Sequence, residues 1–423
     1  MSFSKKVWKV ILFFLIPFVV ALGLFLLLIG GQEGCLFNVE YTLSDDGTYY
    51  TLSDYGVFKF GKFEVPEEYK GKPVAEIGEE AFYMSKFLKE LKIGSNVTSI
   101  GSYAFRNCFS LTSIEIPDSV TSIGSYAFWN CDSLTSVTFG ENSQLASIGA
   151  DAFSCCSSLT SIEIPDSVTS IGGGAFEECS SLTSIEIPDI TKWCKIDFGS
   201  YSANPLLNGA NLYLNGELVT HLVIPDGVTS IGDRAFYGCD SLTSVTFGEN
   251  SQLASIGYWA FYGCTSLTSV TFGENSQLAS IGVRAFDNCT SLTSIEIPYS
   301  VTSIGEYAFD DCTSLTSVTF GENSQLASIG ESAFYDCTGL TSIEIPDSVT
   351  SIGVWAFGNC TSLTSIEIPD SVTSIGRYAF DGCDSLTDVY YTGSKEEWAK
   401  IEIGRENKDL TYATIHYNYV PEE

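Results

Sequence analysis

From about residue 74 onward the apolar positions of the chain repeat in register with themselves. Starting at Leu111 the order is Leu-Thr-Ser-Ile-Glu-Ile-Pro-Asp-Ser-Val-Thr-Ser-Ile-Gly-x-x-Ala-Phe-x-x-Cys-x-Ser, and it returns after 23 or 25 residues. Twelve Ala-Phe pairs mark it, closing on Phe82, Phe105, Phe128, Phe153, Phe176, Phe236, Phe261, Phe286, Phe309, Phe334, Phe357 and Phe380. The 25-residue form carries Phe-Gly-Glu-Asn-Ser-Gln-Leu-Ala-Ser, as at 139–147 and 247–255, so its two extra residues fall in a polar turn and leave the core positions alone. A period between about 20 and 50 residues signals stacked units.

Each unit predicts its own elements. Leu111, Ile114 and Ile116 face one side and Glu115 the other, as in a strand, and Pro117 ends it because proline has no ladder donor. Val120 to Ile123 forms a second short extended piece, with Gly124 freeing the backbone to turn. The Ala-Phe-x-x-Cys spacing predicts one turn of helix that points Phe128 and Cys131 at the same interior. One such coil buries too little apolar surface to offset the entropy of ordering it, so coils must stack. The expected fold is an α/β repeat solenoid with one long parallel sheet of about 13 strands from Leu88 to Leu386, roughly 60 Å at the usual strand spacing. It is expected to be capped at both ends and preceded by one transmembrane helix.

That helix is read from residues 10–31, an uncharged stretch that follows Lys5, Lys6 and Lys9. Its length suits a bilayer core, and the lysines place residues 1–9 in the cytoplasm and the rest outside. A signal anchor is favoured over a cleaved signal peptide, because Gly30 to Cys35 is a poor small-x-small site. Cys35 reads as a lone juxtamembrane cysteine. With no hydrophobic tail at Pro421-Glu-Glu, attachment to a membrane is expected through residues 10–31 alone.

Residues 36–73 read as a strand-rich N-terminal cap, followed by repeats over 74–190 and 219–391. Residues 191–218 interrupt the repeat, with Asn215-Gly216 signalling a tight hairpin. Residues 392–423 read as a C-terminal cap with a short helix, Ser394 as its N-cap and Glu397 as capping-box partner.

Charge removes several function classes. The 52 acids against 20 bases give a net charge of −32, which excludes a nucleic-acid binder because phosphates require Lys and Arg. Only His221 and His416 are available for imidazole chemistry, and no phosphate loop or nucleophile–base set occurs. No enzymatic activity, cofactor or metal is expected.

The Leu-x-x-Ile-x-Ile strand joined to Val-Thr-Ser-Ile-Gly-x-x-Ala-Phe-x-x-Cys closely resembles the BspA-like leucine-rich-repeat surface proteins, over about residues 74–391. The resemblance implies a leucine-rich-repeat solenoid at a cell surface of bacteria or parasitic protozoa, with some members acting as adhesins toward host matrix proteins or other microbes. It implies no catalytic residues and no fixed ligand. The expected function is binding or adhesion to a host or microbial macromolecule, with a non-binding spacer or envelope component as the alternative.

Eleven of 14 cysteines lie three residues after the repeated Phe. Disulfide staples and metal ligation stay open, but repetition at one coil position favours a column of buried thiols that pack as small apolar residues. Glu163 and Glu186 resemble a catalytic carboxylate pair, yet their type recurs along the strand, which favours solvated surface. Asn96, Asn288 and Asn359 head formal glycosylation triplets, the last two at packed turn positions. For a macromolecular partner, aromatic residues that repetition does not require are the expected anchors, Trp193, Tyr201 and Tyr213 in the interruption, the alternative being that they pack the interruption onto the solenoid and the glutamate rows only keep the surface solvated. Glu163, Glu186, Glu296 and Glu344 are expected to steer a basic partner toward the strand face.

Overall fold

The computed structural model describes residues 39–55 and 61–420. Over these residues the chain winds as a β-solenoid. Each coil carries one strand of the Ser-Ile-Glu-Ile or Ser-Val-Thr-Phe type, such as Ser113–Ile116, and one two-residue strand, such as Ser122–Ile123. Strands of the first kind stack in parallel as the strand face, sixteen of them from Gly61–Glu64 to Thr414–Tyr417. The three beyond the expected thirteen are Gly61–Glu64, Asn211–Leu214 and Thr414–Tyr417, whose sequences depart from the repeat.

The face is not one continuous sheet. Hydrogen-bonded pairing divides it into groups ending at Phe139, at the 217–218 strand and at Phe320. Proline accounts for much of this. At several strands the following Gly, Asn or Thr donates one further N–H to the preceding coil, as Gly140 does to Ile116 and Gly321 to Ile297. Strands followed by Pro117, Pro188 or Pro369 lose that rung and pair over three residues instead of the four seen at Ser136–Phe139. Before Pro298 only two pairs remain, and the strands before Pro165 and Pro346 start new groups.

The third side of each coil overturns the expected helix. Instead of i→i−4 bonds, alternate N–H groups reach the next coil: Tyr103 to Ser125, Phe105 to Ala127 and Asn107 to Trp129, at 2.7–2.9 Å. The residue after each of these bonded positions closes a four-residue turn, as Arg106 does onto Tyr103 and Cys108 onto Phe105. This requires two left-handed residues per coil, Tyr103 (φ 56°) and Asn107 (φ 63°) in this one. The architecture is therefore all-β in its repeats, not α/β. The transmembrane helix expected at residues 10–31, and with it the membrane as a partner, lies outside the described residues. Among those residues no helix is long and apolar enough to cross a membrane. The fold class is corrected to a β-solenoid with no demonstrated membrane-spanning element.

Two columns fill the interior. The repeated Phe rings stack coil on coil with centroids 4.8–5.5 Å apart and planes within 18°. Beside them the repeated cysteines are buried and unpaired. Each thiol except that of Cys239 donates to the carbonyl of the preceding coil's Phe at 3.1–3.3 Å, for example Cys131 to Phe105 and Cys312 to Phe286. The thiols thus pack as small residues and also take up a carbonyl lone pair.

The 191–218 interruption is an irregular coil inside the stack. Asp197–Phe198 pairs with Ser170–Ile171, and Asn211–Leu214 pairs with Ser184–Ile187. The Asn215-Gly216 hairpin is present, with φ 51° and 81°, and its return strand Glu217–Leu218 occupies the outer edge of Asn211–Leu214. The strand face therefore restarts at His221–Ile224. At the C-terminal end, Ser394 and Glu397 form the capping box of the Lys395–Trp398 helix.

Candidate functional site

The parallel register sets outward side chains of the strand face side by side. Glu163 lies opposite Glu186, which lies opposite Tyr213; Glu296 lies opposite Thr319, and Glu344 opposite Glu367. Glu163, Glu296 and Glu344 are exposed. Glu186 is partly buried and its Oε1 accepts the Gly216 N–H at 2.7 Å, so it also ties down the hairpin. Glu367 is held above the usual carboxylate range, first by burial and then by Glu344 beside it. The Glu163–Glu186 pair sits on an open face, with Ser161 and Ser184 in register beside it. His221 bonds Ser244 and His416 bonds Asp388, both elsewhere on the solenoid.

The three aromatics expected to act together are separated. Trp193 is 1% exposed; it fills the interior of the irregular coil against Phe198, and its indole N–H donates to the Ala235 carbonyl at 2.8 Å. It is a packing residue and offers no surface, which corrects the expectation that it anchors a partner. Tyr201 is exposed in a short 3₁₀ helix, Tyr201–Ala203, beside the turns of the neighbouring coil, where Ser202 accepts the Gly174 N–H. Tyr213 alone lies on the strand face with the glutamates.

Two features escaped the sequence reading. On the turn side, rings and arginines at the two variable positions flanking Ala-Phe pack together: Tyr103 stacks on Tyr126 at 5.0 Å, and Arg106 lies 4.6 Å over Trp129. Arg234, Arg284 and Arg377 likewise lie over Trp259, Tyr307 and Tyr378. Arg284 also pairs with Asp287. Burial nevertheless pushes Asp287 up to about 6 and Asp310 up to about 7, outweighing the attraction of Arg284.

The second feature is a groove of about 780 Å³ on the strand face, floored by Thr271 and Phe272 and walled by Glu274, Glu296, Tyr299 and Glu322. Tyr299 stands where other coils carry Asp after Pro, as at 118, 166, 347 and 370, and that departure was the available signal. The amide nitrogens of Asn96 and Asn359 are already bonded, to the Glu67 carbonyl and the Tyr335 hydroxyl. Among the described residues no set of three His, Cys, Asp or Glu side chains is arranged to hold a metal ion.

The two-strand coil with Phe and Cys columns defines a leucine-rich-repeat solenoid. A family model described as a BspA type leucine rich repeat region matches residues 75–203, 209–326 and 279–402, so the chain belongs to the BspA-type leucine-rich-repeat family. A leucine-rich repeat protein from Bacteroides ovatus is 26% identical, with a TM-score of 0.52 over 91% of this chain and 100% of that one. The pneumococcal vaccine antigen PcpA is 19% identical with a TM-score of 0.50, over 92% and 100% of the two chains, and shows the shared fold. A leucine rich cell surface protein from Faecalibacterium prausnitzii is 28% identical over 88% of this chain and 98% of that one, with a TM-score of 0.46. No curated protein sequence matches.

Proposed function

We propose that the chain is a cell-surface binding protein that holds a basic host or microbial macromolecule against its strand face, in an adhesive or protein-binding role and without catalysis. Charge segregation carries this reading. Between residues 93 and 394 there are 33 acids and six bases. Four of the six are Arg106, Arg234, Arg284 and Arg377, packed against rings on the turn side. The other two, Lys192 and Lys195, belong to the irregular coil. The strand face over that span keeps Glu163, Glu296 and Glu344 exposed with no lysine or arginine among them, and Tyr213 adds an aromatic contact beside Glu186. Such a surface raises association rates with cationic partners and repels acidic ones.

The test is capture of surface macromolecules by the purified chain at low and raised salt, followed by Glu163→Lys, Glu296→Lys and Glu344→Lys. Binding that weakens with salt and with charge reversal supports the proposal. A chain that captures nothing at low salt would be a spacer.

A further inference from the structure

We propose that the groove at Thr271, Phe272, Glu274, Glu296, Tyr299 and Glu322 is the recognition site for an extended polypeptide segment bearing arginine or lysine, with one cationic side chain laid on the Tyr299 ring. The inference rests on the reading of the strand face as a binding surface for basic partners, and deepens it to one place and one ligand chemistry.

Three observations converge there. The first is shape: the groove holds about 780 Å³, against about 490 and about 500 Å³ for two other depressions on the strand face. It forms where two consecutive coils of the wider, 25-residue type precede a narrower one, so that Phe272 stacks on Phe247 at 4.9 Å and floors the groove.

The second is the placement of an aromatic ring between carboxylates. Gly273-Glu274, Pro298-Tyr299 and Gly321-Glu322 occupy the same turn position in three successive coils, with Gly321 packed directly against the Tyr299 backbone. Tyr299 thus has a glutamate in the coil before it and another in the coil after it, about 5 Å away along the stack in each direction. Glu296 projects from its own coil beside them.

The third is a comparison within the molecule. The repeat arginines all lie over tyrosine or tryptophan rings, at 4.1 Å for Arg284 on Tyr307 and 4.5 Å for Arg377 on Tyr378. Tyr299 is 38% exposed, and among the described residues no ring or cation is packed on it. It presents the acceptor half of an interaction that the chain completes internally elsewhere, in a groove whose carboxylates match a cation and whose open ends pass an extended backbone.

The experiment uses the full chain and three labelled octapeptides of Gly and Ser, with arginine, lysine or neutral citrulline at alternate positions. The arginine peptide is expected to bind at least about tenfold more tightly than the citrulline peptide. Tyr299→Ala, which removes the ring without adding a charge, should weaken the arginine peptide about five- to tenfold, while Tyr299→Phe, which keeps the ring, should lose less than about twofold. Glu296→Thr, the residue at that position in neighbouring coils, should weaken it severalfold, whereas Glu141→Gln, at the turn equivalent to Glu274 in a distant coil, should leave it unchanged. Equal binding by Tyr299→Ala and the unsubstituted chain overturns the groove assignment. If Glu141→Gln then weakens the peptide instead, the strand face still binds basic partners elsewhere; if no cationic peptide binds at low salt, the groove and the face fail together.

Discussion

The regular coils and the irregular coil at 191–218 meet the same hydrogen-bonding demands by different means. In a regular coil the Phe N–H reaches the next coil's Ala carbonyl, as Phe286 does to Ala308, and the Phe carbonyl accepts a thiol. Across the interruption the turn ladder is missing. There the Trp193 indole N–H supplies the bond to Ala235, and Asn204 donates to the carbonyls of Arg234 and Ala235. Asn208 donates to the Phe176 carbonyl that would otherwise meet a cysteine. Cys239, with no Phe in the coil before it, turns to the Ser241 hydroxyl at 3.8 Å. Buried carbonyls must be satisfied whatever the sequence does, so a break in a repeat reveals its requirements by the side chains recruited to replace backbone. The contrast also separates two kinds of aromatic residue: Trp193 is a substitute for ladder, and Tyr299 is not.

The largest effect that can break this comparison comes from Trp193→Ala. It removes a fully enclosed ring and a hydrogen bond between the flanking arrays, and should cost about 3–5 kcal/mol and split thermal unfolding into two calorimetric transitions. A single undiminished transition would show that the irregular coil does not couple its neighbours. Asn204→Ala should cost about 1–3 kcal/mol through the carbonyls it leaves unpaired, measured by denaturant unfolding.

In the regular array acidity acts through two partly or fully buried carboxylates. Asp287 and Asp310 fold with values of about 6 and about 7, above the ordinary carboxylate range, so the stability they contribute is complete below about pH 4 and is lost as pH rises through those values. The chain should melt higher at pH 5 than at pH 8, and Asp310→Asn should flatten that difference, whereas changes in the irregular coil should leave its slope intact. Smallest is the effect on thiol chemistry. Burial pushes Cys179, Cys194 and Cys383 up to about 12, so few thiolates form. Among the described cysteines, the partly exposed Cys155 should be alkylated first at pH 8, as followed by mass spectrometry.

The strands, their proline stops, the hairpin and the cysteine column were legible because each depends on a local rule that the repeat states twelve times. The turn side was misread because Phe and Cys three residues apart fit a helical turn and a pair of tight turns equally well. A signal was present: the position before Cys carries Asn107, Asn130, Asn288, Asn359, Gly238, Gly263 and Gly382, residues suited to left-handed backbone. The other left-handed position hides it under Tyr103, Trp259 and Arg284, which have no such preference. Trp193 was misplaced because a tryptophan outside the repeat looks the same in sequence whether it faces a partner or a gap in the core. Tyr299 was overlooked because a single substitution within a repeat is easily averaged away.

The proline-shortened rungs have a mechanical consequence. Bonds between coils run along the stack, so tension applied between its ends loads them one after another, and the weakest junction yields first. Those junctions lie between Phe139 and Ser161, between Leu218 and His221 and between Phe320 and Ser342, where hydrogen-bonded pairing on the strand face is interrupted. Opening one coil of 23 residues lengthens the chain by roughly 70 Å in place of about 5 Å of stack. Under flow or traction the solenoid therefore extends in steps while the coils beyond the opened seam keep their shape and their outward-facing side chains.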